Sequence, residues 1–286
     1  MFAIILRTRH SVFIVLGLVK KRGFRWLSRF FLYIAPMKQF RPRLTPKEYE
    51  IIQQHRTGGG VGIIGDTHEP FCHPDYRDFC YEVFDRFGVS EIIHIGDEVD
   101  NCAISYHEKD PSGMSVESEA EKAQVAMEKW YETFHDVKVC VGNHSALPYR
   151  KATTAGLPKR FLKSYEEIWN APKGWKWELT WEIDDVIYEH GTGSSGARAA
   201  VNRATANRQS TVIGHCHSFG GVNYMASRND LIFGMNVGCG IDVDAYAFAY
   251  GKQFPKKPTL GCGVVLDGGR TAIFIPMDLG SKIVHI

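Results

Sequence analysis

The chain is 286 residues long, 44% hydrophobic and 23% charged, which excludes a disordered or fibrous protein and leaves room for one large core. Its formal net charge of +2 hides an asymmetry: residues 1–43 carry ten Lys or Arg and no Asp or Glu, whereas residues 44–286 carry 24 basic against 32 acidic side chains. An acidic body suits a protein that gathers cations and weighs against a broad DNA-binding face.

The basic segment comes first in the chain. Ser11–Val19 is an apolar run of nine residues, about half of the ~20 that a membrane-crossing helix needs. Lys20-Lys21-Arg22 follows it in place of a small-residue cleavage site, which argues against a secretory signal. From Arg22 to Ala35 the arginines at 22, 25 and 29 share one helical face. Phe24, Leu27, Phe31 and Ile34 share another, widened by Trp26 and Phe30. The spacing predicts a basic amphipathic helix, which would give residues 1–36 weak contact with an anionic membrane surface. The competing expectation is that Met37 is the true start and residues 1–36 are not native. The domains expected are an extension over 1–43 and a single large domain over 44–286.

Beyond Thr45-Pro46, a predicted start for a helix towards Gln54, the glycines at 58–60 lead into a strand over Val61–Gly65. Phe79, Val83 and Phe87 space a helix over Tyr76–Phe87, closed by Gly88. A strand over Glu91–Ile95, a helix over Ser115–Phe134 with Val125, Met127, Trp130 and Phe134 as core contacts, and a strand over Lys138–Val141 follow. This alternation predicts a layered α/β fold with a largely parallel first half. The second half is different. Trp175–Tyr188 alternates, with Asp184-Asp185 as a hairpin turn and the tryptophans at 175, 177 and 181 as core residues. A helix over Ala197–Arg208, a short strand over Thr211–Gly214, and a hairpin of Val264–Leu266 and Thr271–Ile275 around Asp267-Gly-Gly-Arg270 complete the reading. Two packed sheets with helices outside accommodate all of it.

Five blocks stand at or just past the ends of predicted strands: Gly65-Asp66-Thr67-His68, Gly96-Asp97-Glu98-Val99-Asp100-Asn101, Gly142-Asn143-His144, Glu189-His190-Gly191 and Gly214-His215-Cys216-His217. Loops at the carboxyl ends of strands converge in open α/β sheets. Carboxylate and imidazole together suit a mixed oxygen and nitrogen site for divalent ions. In Asp66-Thr-His68 and His215-Cys-His217 the donors sit at i and i+2, so in an extended strand each pair would chelate one ion. The seven cysteines form no CxxC pair and leave one over; free, reduced thiols in a cytoplasmic setting are expected.

The five blocks, in this order, resemble the DxH, GDxxD, GNH, lone His and GHxH pattern of the calcineurin-like metallophosphoesterases of phages and bacteria, over most of residues 60–220. The resemblance implies an α/β fold, a four-layer α/β/β/α sandwich of two mixed sheets flanked by helices, with residues 44–286 as the catalytic domain. It implies two divalent metal ions, of Mn, Fe, Ni or Zn: one held by Asp66, His68, Asp97 and His217, the other by Asp97, Asn143, His190 and His215, with Asp97 bridging. A shared hydroxide would attack a phosphate ester in line, and the catalytic His144 would protonate the leaving group or stabilise its charge. Asp100 would orient ligands through hydrogen bonds. Many members carry an acidic residue after GNH; here that position is Ser145, which leaves the support of His144 unassigned.

Further candidates are weaker. Arg150, Arg198 and His107 are tentative substrate contacts, Arg198 at the end of the glycine-rich Gly191–Gly196 loop entering a helix. His94, inside a strand, is expected in the core, and the five-residue spacing of Arg198, Arg203 and Arg208 reads as a solvated surface. The function expected is phosphodiester hydrolysis on nucleotides or nucleic acid. Alternatives are a phosphomonoesterase or protein phosphatase, a peripheral hydrolase of lipid pyrophosphates, and a metal-binding module without catalysis. No obligate protein partner is inferable.

Overall fold

The computed structural model describes residues 2–8, 11–17, 31–34, 59–106, 113–246 and 257–277. The chain divides into two compact units, Met1–Arg41 and Pro42–Ile286. In the first, strands β1 (Phe2–Thr8), β2 (Ser11–Gly17) and β3 (Phe31–Ile34) form an antiparallel sheet in the order β1-β2-β3. This corrects part of the expected amphipathic helix over Arg22–Ala35: Phe31–Ile34 is extended and pairs with Phe13–Leu16. Aromatic and β-branched residues suit a pleated strand as well as a helix face, and periodicity over four residues does not separate the two. The rest of that stretch, and the helix expected towards Gln54, lie outside the described residues.

The second unit begins with β4 (Gly60–Ile64), helix α1 (Tyr76–Phe87), β5 (Val89–His94), α2 (Val116–Thr133) and β6 (Val137–Cys140). α3 (Leu147–Thr154), α4 (Tyr165–Ile168) and β7 (Trp175–Glu178) follow. β4, β5, β6 and β7 pair in parallel, as the alternation of strand and helix predicts. Ser115 caps α2 by accepting from the Ser118 backbone N–H at 3.2 Å. α2 buries Ala123, Met127, Trp130 and Tyr131, while Val125, expected in the core, is 56% exposed because it lies on the opposite face from Ala123 and Met127.

At Leu179 the chain changes sheets. β8 (Thr180–Ile183) and β9 (Val186–Glu189) form the expected hairpin, with Asp184 and Asp185 at φ of +53° and +62°. The aromatic run is therefore two strands in two sheets, joined by a 74% exposed leucine. Trp175 and Trp177 are buried, and Trp181 packs partly buried between the sheets. Then come α5 (Ala199–Asn207), β10 (Ser210–Ile213), β11 (Gly220–Ala226), β12 (Leu231–Val237), α6 (Val243–Tyr246), β13 (Gly261–Leu266) and β14 (Thr271–Pro276).

The result is a six-stranded sheet, β14-β13-β4-β5-β6-β7, and a five-stranded sheet, β11-β12-β10-β9-β8. Both are mixed, because β13, β14, β8 and β11 pair antiparallel. Their inner faces share one core of Val61, Ile63, Ile93, Val186, Tyr188, Val212, Phe233 and Met235. Helices cover the outer faces. Phe84 of α1 fills the space a side chain at position 62 would need, and Ala199 and Ala200 of α5 pack on Ile213. This is the four-layer α/β/β/α sandwich. Among the described residues no helix is long and apolar enough to cross a membrane.

Candidate metal centre

The five blocks meet where β4, β5, β6, β9 and β10 end. The loops after β4 and β5 are laced together by backbone hydrogen bonds from His68 to Asp97 and from Glu69 to Glu98, each 2.9 Å, and from Asp100 to Glu69 at 3.0 Å. His68, Asp97 and His215 have φ of +49°, +48° and +62°. These left-handed positions are costly for non-glycine residues and are retained where the surroundings fix them. His68 and His215 are thus not in extended backbone, contrary to expectation, and the two i, i+2 pairs behave differently. Asp66 and His68 converge in one group with His217, whereas His215 joins Asp97 and His190 in another.

Two glycines make room for the carboxylates. A Cβ at position 142 would lie 2.0 Å from Asp97 Oδ1, and one at 214 would lie 2.1 Å from Asp66 Oδ1. No side chain fits at either point.

The electrostatics are those of a cation site. Asp66 and Asp97 are almost completely buried, and Asp66 Oδ1 and Asp97 Oδ2 have no hydrogen-bond partner. Burial alone would raise both carboxyl pKa values, but the surrounding imidazoles, His190 foremost, reverse this and hold both below the usual carboxylate range. His190 Nδ1 lies 3.2 Å from the Ile95 carbonyl, an acceptor, so that nitrogen carries a proton. Nε2 then faces Asn143 Oδ1 at 3.0 Å and Asp97 Oδ2 at 3.1 Å, which also only accept. Three lone pairs facing one another require positive charge between them. Burial opposes a second ring proton, yet the Asp97 and Asp66 carboxylates outweigh it and raise the His190 pKa to about 9. A divalent ion meets the same demand.

The other group repeats the pattern. His68 Nδ1 is 2.7 Å from Asp100 Oδ1, which fixes the proton there and turns the Nε2 lone pair towards His217 Nε2, 3.2 Å away. His217 Nε2 lies 2.9 Å from Asp66 Oδ2, which also accepts from the His215 backbone N–H at 2.8 Å. Burial, with the neighbouring imidazoles, keeps the His68 pKa below its ordinary value despite Asp100. The residues present therefore fit divalent cations, and an oxygen and imidazole donor set without thiolate suits a transition metal.

His144 stands at the rim with a side chain 21% exposed. Its Nδ1 is 2.5 Å from the Asp100 carbonyl and 3.2 Å from Asp100 Oδ1, while Asn101 Nδ2 donates to its carbonyl at 3.1 Å. Asp100 thus supplies the support for His144 that Ser145 does not. Burial works against charge on His144, but the Asp100 and Asp97 carboxylates prevail and raise its pKa to about 9.

Ser145 has a different use. It is buried and donates its hydroxyl to Glu98 Oε2 at 2.6 Å; Trp177 Nε1 donates to Glu98 Oε1 at 3.1 Å. Burial raises the Glu98 pKa to about 7. Nothing in the motif pattern marks Glu98 out among its acidic neighbours. His94 is a core residue, as expected. Gly96 N–H donates to its Nδ1 at 3.2 Å, so Nε2 carries the proton that Thr67 Oγ1 accepts at 3.0 Å, and Thr67 in turn donates to the Glu98 carbonyl at 2.9 Å. It clamps both ligand loops from below.

The tentative substrate residues are scattered. Arg150 lies exposed on α3, six residues beyond His144, with its guanidinium 5.3 Å from the Tyr106 ring centroid. Arg198 is exposed at the start of α5, and no hydrogen bond or ion pair ties it to the cluster among the described residues. His107 lies outside the described residues. Arg203 belongs to its own helix and loop, bonded to Ser194 and Thr192 and 3.6 Å from Glu189.

Fold and site together define an α/β sandwich with a preformed cradle for divalent cations. A family model for calcineurin-like phosphoesterases matches residues 60–231, and the chain belongs to that family. Among solved structures it is similar to vacuolar protein sorting 29 from Cryptosporidium parvum, at 13% identity over 78% of this chain and 92% of that one, with a TM-score of 0.41. It is also similar to Vps29 from Chaetomium thermophilum, at 10% identity over 79% and 100%, with a TM-score of 0.36. The Pseudomonas putida nuclease MPE matches at 11% identity over 79% and 89%, with a TM-score of 0.30. Comparison with curated proteins finds no match.

Proposed function

We propose that the chain is a dinuclear metal-dependent phosphoesterase that hydrolyses phosphodiesters. The observation that carries this reading is the facing of acceptor on acceptor at His190, Asn143 and Asp97, beside the unpartnered oxygens of Asp66 and Asp97. In the proposed assignment Asp66, His68 and His217 would hold one ion and Asn143, His190 and His215 the other, with Asp97 available to both. When bound, such a pair supplies Lewis-acid clamping of phosphate oxygens and an activated water. The chain's own residues do the rest. Asp97 Oδ1 accepts from the His144 backbone N–H at 2.8 Å, which fixes the GNH turn against the carboxylate. His144, held at Nδ1 by Asp100, presents its other nitrogen to the leaving oxygen and hands it a proton. That help matters most for the poor leaving groups of diesters.

Metal analysis joined to turnover of bis-(p-nitrophenyl) phosphate with Mn tests the proposal. About two metals per chain and hydrolysis are expected in the wild type, with loss of both in Asp97→Ala. Full turnover in the variant removes the mechanism. Hydrolysis of neither this diester nor p-nitrophenyl phosphate by the wild type leaves a metal-binding module without catalysis.

A further inference from the structure

A basic shoulder of the acidic body adjoins His144. Between Asp136 and Glu166 the chain holds six Lys or Arg and no Asp or Glu. Five of these, Arg150, Lys151, Lys159, Arg160 and Lys163, lie on α3 and the connection after it. Among the described residues none of the five is ion-paired, whereas Arg77, Arg86, Lys138 and Arg203 each reach a carboxylate. Unpaired cations grouped in a net-negative domain leave their charge available to a polyanion.

Aromatic rings alternate with these cations. Tyr106, 51% exposed, has Lys151 Nζ 3.6 Å and the Arg150 guanidinium 5.3 Å from its centroid, and its hydroxyl lies 3.1 Å from Thr154 Oγ1. Phe161 is 70% exposed beside Arg160, whereas Tyr149, half-buried 5.8 Å from Lys159, packs on Tyr165 with ring centroids 4.7 Å apart. The surface is continuous with the metal centre, since Leu147 N–H bonds to the His144 carbonyl and Lys151 Nζ to the Ser105 carbonyl.

Cations interleaved with exposed aromatic rings, here Tyr106 and Phe161, are how proteins hold single strands, the cations on phosphates and the rings against unstacked bases. A duplex offers phosphates but hides its base faces. An anionic bilayer would call for an apolar stripe, and the exposed positions of α3 are Arg150, Thr153 and Thr154. We propose that residues 101–106 and 147–163 bind a single-stranded nucleic acid and lead its backbone to the metal centre; the substrate assignment rests on the phosphoesterase reading above, while the binding is tested without it.

The test uses the Mn-loaded full chain and fluorescence anisotropy with a fluorescein-labelled phosphorothioate oligothymidylate, read across a salt series. The wild type is expected to bind. Lys159→Glu with Arg160→Glu weakens binding about ten-fold or more and lowers the salt slope by about 1.4. Phe161→Ala weakens it about ten-fold with the slope unchanged. Equal affinity and slope in all three proteins overturn the proposal, as do equal binding of a duplex of that length or binding of phosphatidylserine vesicles in place of the oligonucleotide. Wild-type turnover of bis-(p-nitrophenyl) phosphate is recorded in parallel. Turnover without oligonucleotide binding sinks this inference alone, whereas variant-sensitive binding without turnover sinks the hydrolase reading and keeps the surface.

Discussion

The two sheets contribute unlike halves to the centre. The six-stranded sheet supplies Asp66, His68, Asp97 and Asn143 from loops held by their own backbone ladder, with His68 fixed by Asp100 and Asp97 by the His144 N–H. The five-stranded sheet supplies only imidazoles, and these lean on the first half: His190 on the Ile95 carbonyl, His217 and the His215 backbone on Asp66. The His215 ring itself has no hydrogen bond among the described residues, and burial together with the charge on His190 keeps its pKa below the ordinary value. The oxygen-rich half is organised by chain pairing, the imidazole half by the oxygens it meets.

The largest test of that contrast is His215→Ala. Removing a ring without a hydrogen bond of its own is expected to change the unfolding free energy of the chelator-treated chain by less than about 1 kcal/mol. It should still reduce bound metal from about two to about one and lower kcat/KM on the order of 10^3-fold. A large stability loss with metals retained would show the ring to be structural. Next comes Asp100→Asn, which keeps shape but removes the charge that orients His68 and His144. Metal affinity measured by competition with a chelator should fall about 10- to 100-fold, with unchanged affinity contradicting the orienting role.

The smallest effect is one of pH. Burial lowers the His94 pKa to about 3. A group with a depressed folded pKa contributes fully above its unfolded value of about 6.5, and that contribution is lost as pH falls towards 3. Urea unfolding of chelator-treated protein should show about 2–3 kcal/mol lost from this source between about pH 7 and pH 4.5. His94→Gln, which retains a donor and an acceptor, should flatten that limb; an equally steep limb would place the titration elsewhere.

Much of this was legible in the sequence where short-range patterns decide. The helix Tyr76–Phe87, the parallel run of β4, β5 and β6 and both hairpins follow from periodicity and turn residues. The five ligand blocks are legible because each carries its own donors. Contacts made at a distance were not. Trp175, Trp177, Leu179 and Trp181 keep one unbroken alternation, so nothing local marks the change of sheet at Leu179. Glu98 reads like its acidic neighbours until Ser145 and Trp177, 47 and 79 residues away, are seen bonded to it. Val125 shows the limit of counting apolar residues without fixing the phase of the helix.

The passage through Leu179 places every donor of the first sheet ahead of it in the chain and every imidazole of the second behind it. An ion holding both Asp66 and His217 closes a loop of 151 residues. In the loop-entropy treatment a permanent tie of that span is worth about 5 kcal/mol. None of the seven cysteines forms a disulfide. Cross-bracing that a secreted protein draws from disulfides would fall here to the ions, so that starving the chain of metal would loosen the seam between its sheets as well as silence its chemistry.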